Sequence, residues 1–309
     1  MIVTVTPNPA LDVTYAVDRV ALGRSHRVRE VREVAGGKGL NVAGVLTAMG
    51  REVMALGLVG AGGEAIAEDL AARGIRHSLG RVDGTVRRTV TVVSSGDGEA
   101  TAFNEPGPRW TAQAADTLRA LVTRTLGAVR PAVLVISGSV PPGMPVDGLS
   151  ALVAIGRAHG CVVIVDAARE ALAGVLGVGP DLVKPNHHEL AEVVGTTDPV
   201  TGAARLRERG ANQVVVSCGP RGLVLVDDGL AVRASLPDAL RGNATGAGDA
   251  AVAALAAGLA EGRSGVQLLA DAVAWSAASV LEPTAGIVDP AVVERLRATV
   301  VLTAEPATG

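Results

Sequence analysis

The stretch RGNATGAGDAAVAAL, residues 241–255, decides how the chain is read. Three glycines and one acid precede an alanine-rich run of helical character. Gly246, Gly248 and Ala251 formally match the GxGxxA fingerprint of dinucleotide-binding folds. That fingerprint belongs directly after a strand in a βαβ unit. Here the segment PDALRGNAT precedes it, and Asp249 would stand against a pyrophosphate and repel it. The dinucleotide reading is therefore rejected, and two others remain. In one, Asp249 caps a helix, since Asp is a preferred capping residue. In the other, the amides of Gly246, Ala247 and Gly248 form an anion hole at the helix N-terminus, where the charge developing on a transferring phosphoryl group is stabilised. Asp249, one step inside, then accepts the proton of the attacking hydroxyl. The stretch alone leaves both open.

Outward from it, the chain alternates between β-branched runs and alanine-rich helical segments. The runs are 2–6, 53–59, 133–137, 162–166, 182–184, 214–217 and 223–226. Several are continuously apolar, as strands buried on both faces of a parallel sheet are. Helices are predicted at 40–49, 65–73, 112–126, 149–159, 189–194, 203–209, 250–260, 267–280 and 290–298. Many stop at a glycine, such as Gly50, Gly74 and Gly160, the common left-handed helix stop. This alternation predicts an α/β fold with a doubly wound, mainly parallel sheet and helices on both faces. Two segments break the rhythm. Residues 13–34 are charged and roughly alternating, and 86–103 read as a hairpin turning at residues 94–98. We expect them to pair into a small β-sheet lid on a single domain spanning 1–309.

Composition narrows the function. The chain has 309 residues, 48% of them hydrophobic, enough for a large buried core. Its formal net charge is −3 and only Tyr15, Phe103, Trp110 and Trp275 are aromatic. A nucleic-acid binder needs a basic surface and stacking platforms, and neither is present. Cys161 and Cys218 lie in apolar runs and read as buried thiols of a reducing compartment. No unbroken apolar run reaches the roughly 18 residues of a membrane span. We expect a soluble cytoplasmic protein.

Ligands of open α/β sheets bind at the carboxyl ends of strands. Turn-rich polar loops follow several of the runs here: after residue 6, after 137, after 184 and after 217. Asn186 and Glu189 match a helix capping box. Alternatively, Glu189 orients the water shell of a Mg²⁺ ion, which keeps most of its waters and needs few carboxylates. His187 and His188 are adjacent and lack the helical spacing of a zinc pair. Gly36-Gly37-Lys38-Gly39 leads into a helix, where glycine lets the backbone approach an anion and Lys38 adds charge. It is not a Walker A loop, because Gly39 stands where Ser or Thr would follow the lysine. Arg24, Arg27, Arg87 and Arg88 lie in the lid segments, either solvated or brought over a phosphate.

GNATGAGDA resembles the carboxyl-proximal signature of the ribokinase-like (PfkB) carbohydrate kinases. AGGKGLNVAGVLTAMG, residues 35–50, resembles their amino-proximal signature. TPNPALD, SGSVPPG and KPNHHEL, starting at residues 6, 137 and 184, are similar to the branch holding 1-phosphofructokinases and tagatose-6-phosphate kinases. The resemblance implies Asp249 as catalytic base and residues 246–248 as anion hole. It implies Asp12, Gly36, Gly37 and Asn41 on sugar hydroxyls, Lys38 and Arg88 on the substrate phosphate, and Ser137 beside the sugar. Lys184 and Asn186 lie in the motif linked to phosphate, with Glu189 on Mg²⁺ through water. Ser217, Gly219 and Gly222 surround ATP. The implied activity is ATP- and Mg²⁺-dependent phosphorylation of a sugar phosphate, D-fructose 1-phosphate first, then tagatose 6-phosphate or fructose 6-phosphate. A kinase of an unphosphorylated sugar or nucleoside and a non-catalytic sugar-phosphate sensor are the alternatives. Paired lids in several members imply a homodimer. Asp166-Ala167-Ala168-Arg169 departs from the DTSG-like loop expected in this branch, which puts the substrate assignment in doubt there.

Overall fold

The computed structural model describes residues 1–94, 96 and 100–305. In chain order the elements are β1 (Ile2–Thr6), β2 (Ala10–Val17), β3 (Glu30–Gly36), α1 (Lys38–Ala48), β4 (Val53–Ala61), α2 (Glu64–Ala72), β5 (His77–Thr85), β6 (Arg87–Ser94) and β7 (Ala100–Asn104). Then come α3 (Ala112–Val129), β8 (Val133–Ser137), α4 (Gly148–Ala158), β9 (Val162–Asp166), α5 (Arg169–Leu176), β10 (Leu182–Val183), α6 (His187–Val194) and α7 (Pro199–Glu208). The chain finishes with β11 (Gln213–Ser217), β12 (Leu223–Asp227), β13 (Leu230–Ser235), α8 (Ala247–Ala260), α9 (Val266–Val280), α10 (Pro290–Arg297) and β14 (Val301–Ala304).

The main sheet runs β14-β13-β12-β11-β10-β9-β8-β1-β4-β5. From β5 to β11 every pairing is parallel, and β11 to β14 extend it antiparallel. The chain leaves β1 toward β4 and β5, then returns to β8 on the other side, so the winding reverses between β1 and β8. The sheet is doubly wound, as expected. Strand alternation splits the core into two layers. Ile2, Val53, Val135 and Ile164 join α1, α8 and α9 in one; Val3, Leu56, Leu134 and Val165 join α3, α4 and α7 in the other. Among the described residues, no helix is long and apolar enough to cross a membrane. Both cysteines are free and buried.

A second sheet of four strands has the order β3-β2-β6-β7. It joins the two segments expected to pair: β2 lies parallel to β6, flanked by antiparallel β3 and β7. The turn of the expected hairpin lies largely outside the described residues. The register pairs Ala10 with Arg87 and Asp12 with Thr89. Side chains alternate across a strand, so Asp12, Arg87 and Thr89 share one face, and Val13, Tyr15, Val31, Val90 and Phe103 the other. Three expectations shift. Asp12 sits on β2, not in a loop after β1. Within 13–34 the strands are β2 and β3, with no strand between them. And β5, β13, β14 and α5 were not anticipated.

Candidate active site

The N-termini of α1 and α8, the carboxyl ends of β9, β10 and β11, and the polar face of the small sheet enclose a cleft of about 380 Å³. Asp12, Gly37, Lys38, Asn41, Lys184, Asn186, Glu189, Ser217, Gly246, Gly248 and Asp249 all line it. Residues drawn from five separate stretches of sequence are thus brought to one place.

Asp249 is the third residue of α8 and is only 6% exposed. It does not cap the helix: the N-cap is Gly246, at φ +86°. Instead its Oδ2 accepts a hydrogen bond from Asn41 Nδ2 at 2.8 Å. Burial, helped by the nearby Asp166 charge, pushes the Asp249 carboxyl up to about 7, against the pull of Lys38, Asn41 and Lys184. A base at that value exchanges protons readily near neutral pH.

Asp166, at the end of β9, is the hub beneath the cleft. Its Oδ1 lies 3.3 Å from Lys38 Nζ and 3.5 Å from Lys184 Nζ, and its Oδ2 accepts from Ser137 Oγ at 3.3 Å. Burial alone would raise its carboxyl, but Lys184 and Lys38 outweigh that and hold it below the usual carboxylate range. In return Asp166, with Glu189 and Asp249 behind it, raises the Lys38 ammonium against the effect of burial, so Lys38 stays charged. The Lys184 ammonium reaches the start of α8, where a Cβ on Gly248 would stand 3.4 Å from it.

Around the amides, the geometry trims the expected anion hole. The Ala247 N–H is engaged by the Ala244 carbonyl at 3.3 Å. Among the described residues, no hydrogen bond engages the amides of Gly246 or Gly248, and both residues line the cleft. Gly36 is required for a different reason: a Cβ there would occupy the carboxyl group of Asp12. Burial raises the Asp12 carboxyl, with Thr89 and Arg87 opposing.

Three residues expected on the substrate, Gly36, Ser137 and Arg88, do not line the cleft. Ser137 is fully buried under Asp166 and does not line the cleft. Arg87, not Arg88, lines it, because the parity of β6 sends them to opposite faces. Arg87 is braced by Asn8, whose carbonyl accepts from Nε at 3.0 Å, while Arg88 is exposed. Sequence reasoning named Arg87 only as one of four lid arginines, and missed Asp166, Thr89, Asn104 and Thr245 as lining residues. An acid closing a strand at the sheet's carboxyl edge was the one available signal for Asp166.

Glu189 and Asn186 fulfil the capping reading. The capping box is complete: Asn186 Oδ1 accepts from the amides of His188 and Glu189, and Glu189 Oε2 accepts from the Asn186 amide, all at 2.9 Å. The other oxygen, Oε1, faces the cleft 3.9 Å from Lys38 Nζ. One carboxylate oxygen left over is what a water-retaining Mg²⁺ asks of a protein. Among the described residues no cluster of three or more metal-ligating side chains exists, so a dehydrated ion has no cage.

A second pocket, of about 430 Å³, adjoins the cleft and shares Asn186, Ser217 and Gly248 with it. Gly219 and Gly222 form one wall; Leu223, Leu236, Val273 and Val280 supply aliphatic surface. Arg169 opens α5 with a left-handed backbone, φ +53°, and its Nε reaches Glu192 at 2.9 Å. The departing Asp166–Arg169 loop therefore supplies the hub carboxylate at one end and an exposed ion pair at the other.

Comparison with known proteins agrees with this fold. The model of the pfkB family of carbohydrate kinases matches residues 7–291. A 1-phosphofructokinase of Xanthomonas campestris pv. campestris is 36% identical over 315 residues, covering 98% of each chain. A tagatose-6-phosphate kinase of Staphylococcus epidermidis is 28% identical, covering 93% of this chain and 94% of its own. The crystal structure of phosphofructokinase-2 from Escherichia coli in complex with fructose-6-phosphate superposes with a TM-score of 0.87 at 29% identity, covering 96% of this chain and 98% of that one. From the paired signatures, the doubly wound fold and this match along most of its length, the chain belongs to the pfkB family of carbohydrate kinases.

Proposed function

We propose that the protein transfers the γ-phosphoryl group of ATP to a ketohexose monophosphate, with D-fructose 1-phosphate as the preferred acceptor. The observation that carries the transfer is Asp249, a buried carboxylate held by Asn41 beside the open amides of Gly246 and Gly248 and the Lys184 ammonium. The acceptor hydroxyl attacks the γ-phosphorus in line. The new O–P bond forms as the bond to the bridging oxygen breaks, and ADP leaves with that electron pair. Asp249 takes the hydroxyl proton. Charge spreading onto the equatorial oxygens is met by the two amides, the α8 N-terminus and Lys184.

Asp12, held against Gly36, and Asn41 are placed to orient sugar hydroxyls. Lys38, and Arg87 in place of the expected Arg88, are the cations available to the acceptor's own phosphate, which favours a phosphorylated acceptor over a free sugar. Adenine fits the aliphatic pocket behind Ser217, Gly219 and Gly222. Glu189 Oε1 would hold Mg²⁺ through its water, and the ion, when bound, neutralises charge on the ATP phosphates. The small sheet acts as a lid that excludes water and so limits hydrolysis of ATP. Its exposed apolar residues, Val31 and Phe103, 55% and 60% exposed, support a homodimer through the lids. The 36% identity to a 1-phosphofructokinase, against 28% to a tagatose-6-phosphate kinase, supports the order of substrates.

The test is a coupled ADP-release assay over a panel of hexose phosphates and free hexoses, with and without Mg²⁺. The expected result is the highest kcat/KM on D-fructose 1-phosphate, with transfer lost when Mg²⁺ is chelated. Higher efficiency on tagatose 6-phosphate or fructose 6-phosphate would reassign the acceptor. No transfer to any of the panel would sink the kinase reading in favour of a sensor.

A further inference from the structure

The loop carrying Ala285 and Gly286 backs the site on two sides. Gly286, at φ +77°, lies so close to Asn41 that a Cβ there would stand 3.2 Å from the Asn41 Cα and 3.3 Å from its side-chain oxygen. Ala285 lies against Gly246: a Cβ on that glycine would meet the Ala285 Cβ at 2.6 Å. One short loop thus sets the seat of the residue that holds Asp249 and of the glycine that opens α8.

Two side chains fix this loop. Asn243 Nδ2 donates to the Pro283 carbonyl at 3.1 Å, a contact next to the site itself. The second comes from across the molecule. Arg73, the C-cap residue of α2, donates from Nη2 to the Gly286 carbonyl at 2.8 Å. Its Nη1 is 3.4 Å from Asp69 Oδ2, and that oxygen also accepts the Ala35 amide at 3.0 Å. Ala35 lies in β3, immediately before Gly36. The guanidinium passes directly over α1 at Gly44, where any Cβ would collide with Nη2 and with the Gly286 carbonyl. So Asp69 and Arg73 bridge the root of the small sheet to the loop behind Asn41.

We infer that Arg73 is a positioning residue for phosphoryl transfer: anchored on Asp69, it holds Gly286 against Asn41 and so fixes the hydrogen bond from Asn41 to Asp249, coupling that bond to the root of the small sheet. This rests on the reading of Asp249 as the base. Arg73 touches neither substrate pocket; it acts through Gly286 and Asn41. A bidentate guanidinium suits the task, because it satisfies a carbonyl and a carboxylate at once with a rigid fork that lysine lacks.

The experiment compares wild type with Arg73→Ala, Arg73→Lys and Gly286→Ala. Kinetics on the best sugar phosphate are read together with a carbon-13 carboxyl NMR titration of Asp249 in the unliganded protein. In Arg73→Ala, kcat is expected to fall about tenfold while the KM for ATP stays within about twofold. Free guanidinium should restore part of the lost rate, and Arg73→Lys should fall between. The variants leave Lys38, Asp166 and Lys184, the charged groups facing Asp249, in place. A loosened Asn41 bond should therefore move the Asp249 midpoint upward, in Gly286→Ala as in Arg73→Ala. An unchanged midpoint in both folded variants overturns the inference. So does a rate loss that follows the melting temperature and is not restored by guanidinium. If wild type transfers no phosphoryl group, the functional reading fails, and the NMR titration still decides the role of Arg73.

Discussion

In its proposed role as base, Asp249 has to be both buried in a dry cleft and ionised to accept a proton, and these demands oppose each other. Burial lifts its carboxyl to about 7. A base has to be in its charged form, so kcat/KM is expected to rise with pH through about 7 and level off above it, as a pH–rate profile will show. Asp249→Asn should keep the Asn41 contact yet lower kcat by roughly 10²–10⁴-fold; a variant close to wild type would remove Asp249 from the role of base. The same shift has a stability consequence. A carboxyl whose folded value lies above its unfolded value of about 4 contributes stability that is fully present at low pH and lost as pH rises through about 7. Asp249→Asn escapes that loss. Its melting temperature should therefore gain on wild type by a few degrees, about 2–4 °C per kcal/mol, between pH 5 and pH 8. A constant difference across that range would show that the carboxyl is not strained by burial. Legibility at this scale follows contiguity. Asp249, Gly246, Lys38, Asn41 and Asn186 sit in compact runs, each next to a helix start, and were readable as runs. Asp166 gains its role only because Lys38 and Lys184 arrive from α1 and the end of β10. The choice of Arg87 over Arg88 depends on strand parity, fixed by pairing with β2, a partner some seventy residues away.

At the scale of the element, α8 shows why a helix buried on all sides is made of alanine. Residues 250–257 are buried all round, packed between the sheet, α1 and α9, and small side chains let the backbones approach. The entry to this helix is equally constrained. Gly246 combines φ +86° with a close approach to Ala285. Gly262, just past the other end of the helix, has φ +73° but open space around it. Alanine at Gly262 should cost about 1–2 kcal/mol from backbone strain alone and leave kcat intact. Alanine at Gly246 should cost more, adding overpacking of about 1–3 kcal/mol, and lower kcat by displacing the start of α8. Denaturant midpoints and kcat measured on the pair separate the two effects; equal costs would mean that the Ala285 contact yields freely. The elements that were readable are those whose own pattern is decisive: apolar strands such as β1, β8 and β9, and long helices such as α3 and α9. Those missed owe their form to neighbours. His77–Thr85 carries two glycines and an aspartate yet is a strand because β4 offers a parallel edge. Val301–Ala304 is exposed throughout and exists as a strand through pairing with β13.

For the whole molecule, the question is what keeps the small sheet in place. Its polar face brings Asp12, Arg87 and Thr89 to the cleft. Near the root, the opposite face is covered: Val13 is buried, and α2 packs against β3. Farther out the same face leaves Val31 and Phe103 more than half exposed, at 55% and 60%. A sheet covered only at its root is held there like a flap, and its reach over the cleft depends on what supports the rest. A second copy of the chain laid on that face would supply the support, and lid and dimer would then be one device. On this argument Phe103→Asp should convert a dimer to a monomer in sedimentation velocity. It should also raise the KM of the sugar phosphate roughly tenfold, since Asp12 and Arg87 lose their fixed placement. The KM for ATP, whose proposed pocket is built from β11, β12, α8 and α9, should stay within about twofold. A wild-type protein that sediments as a monomer with full activity would break the link between assembly and lid. A monomeric Phe103→Asp with an unchanged acceptor KM would show that the root contacts alone hold the sheet in its working position.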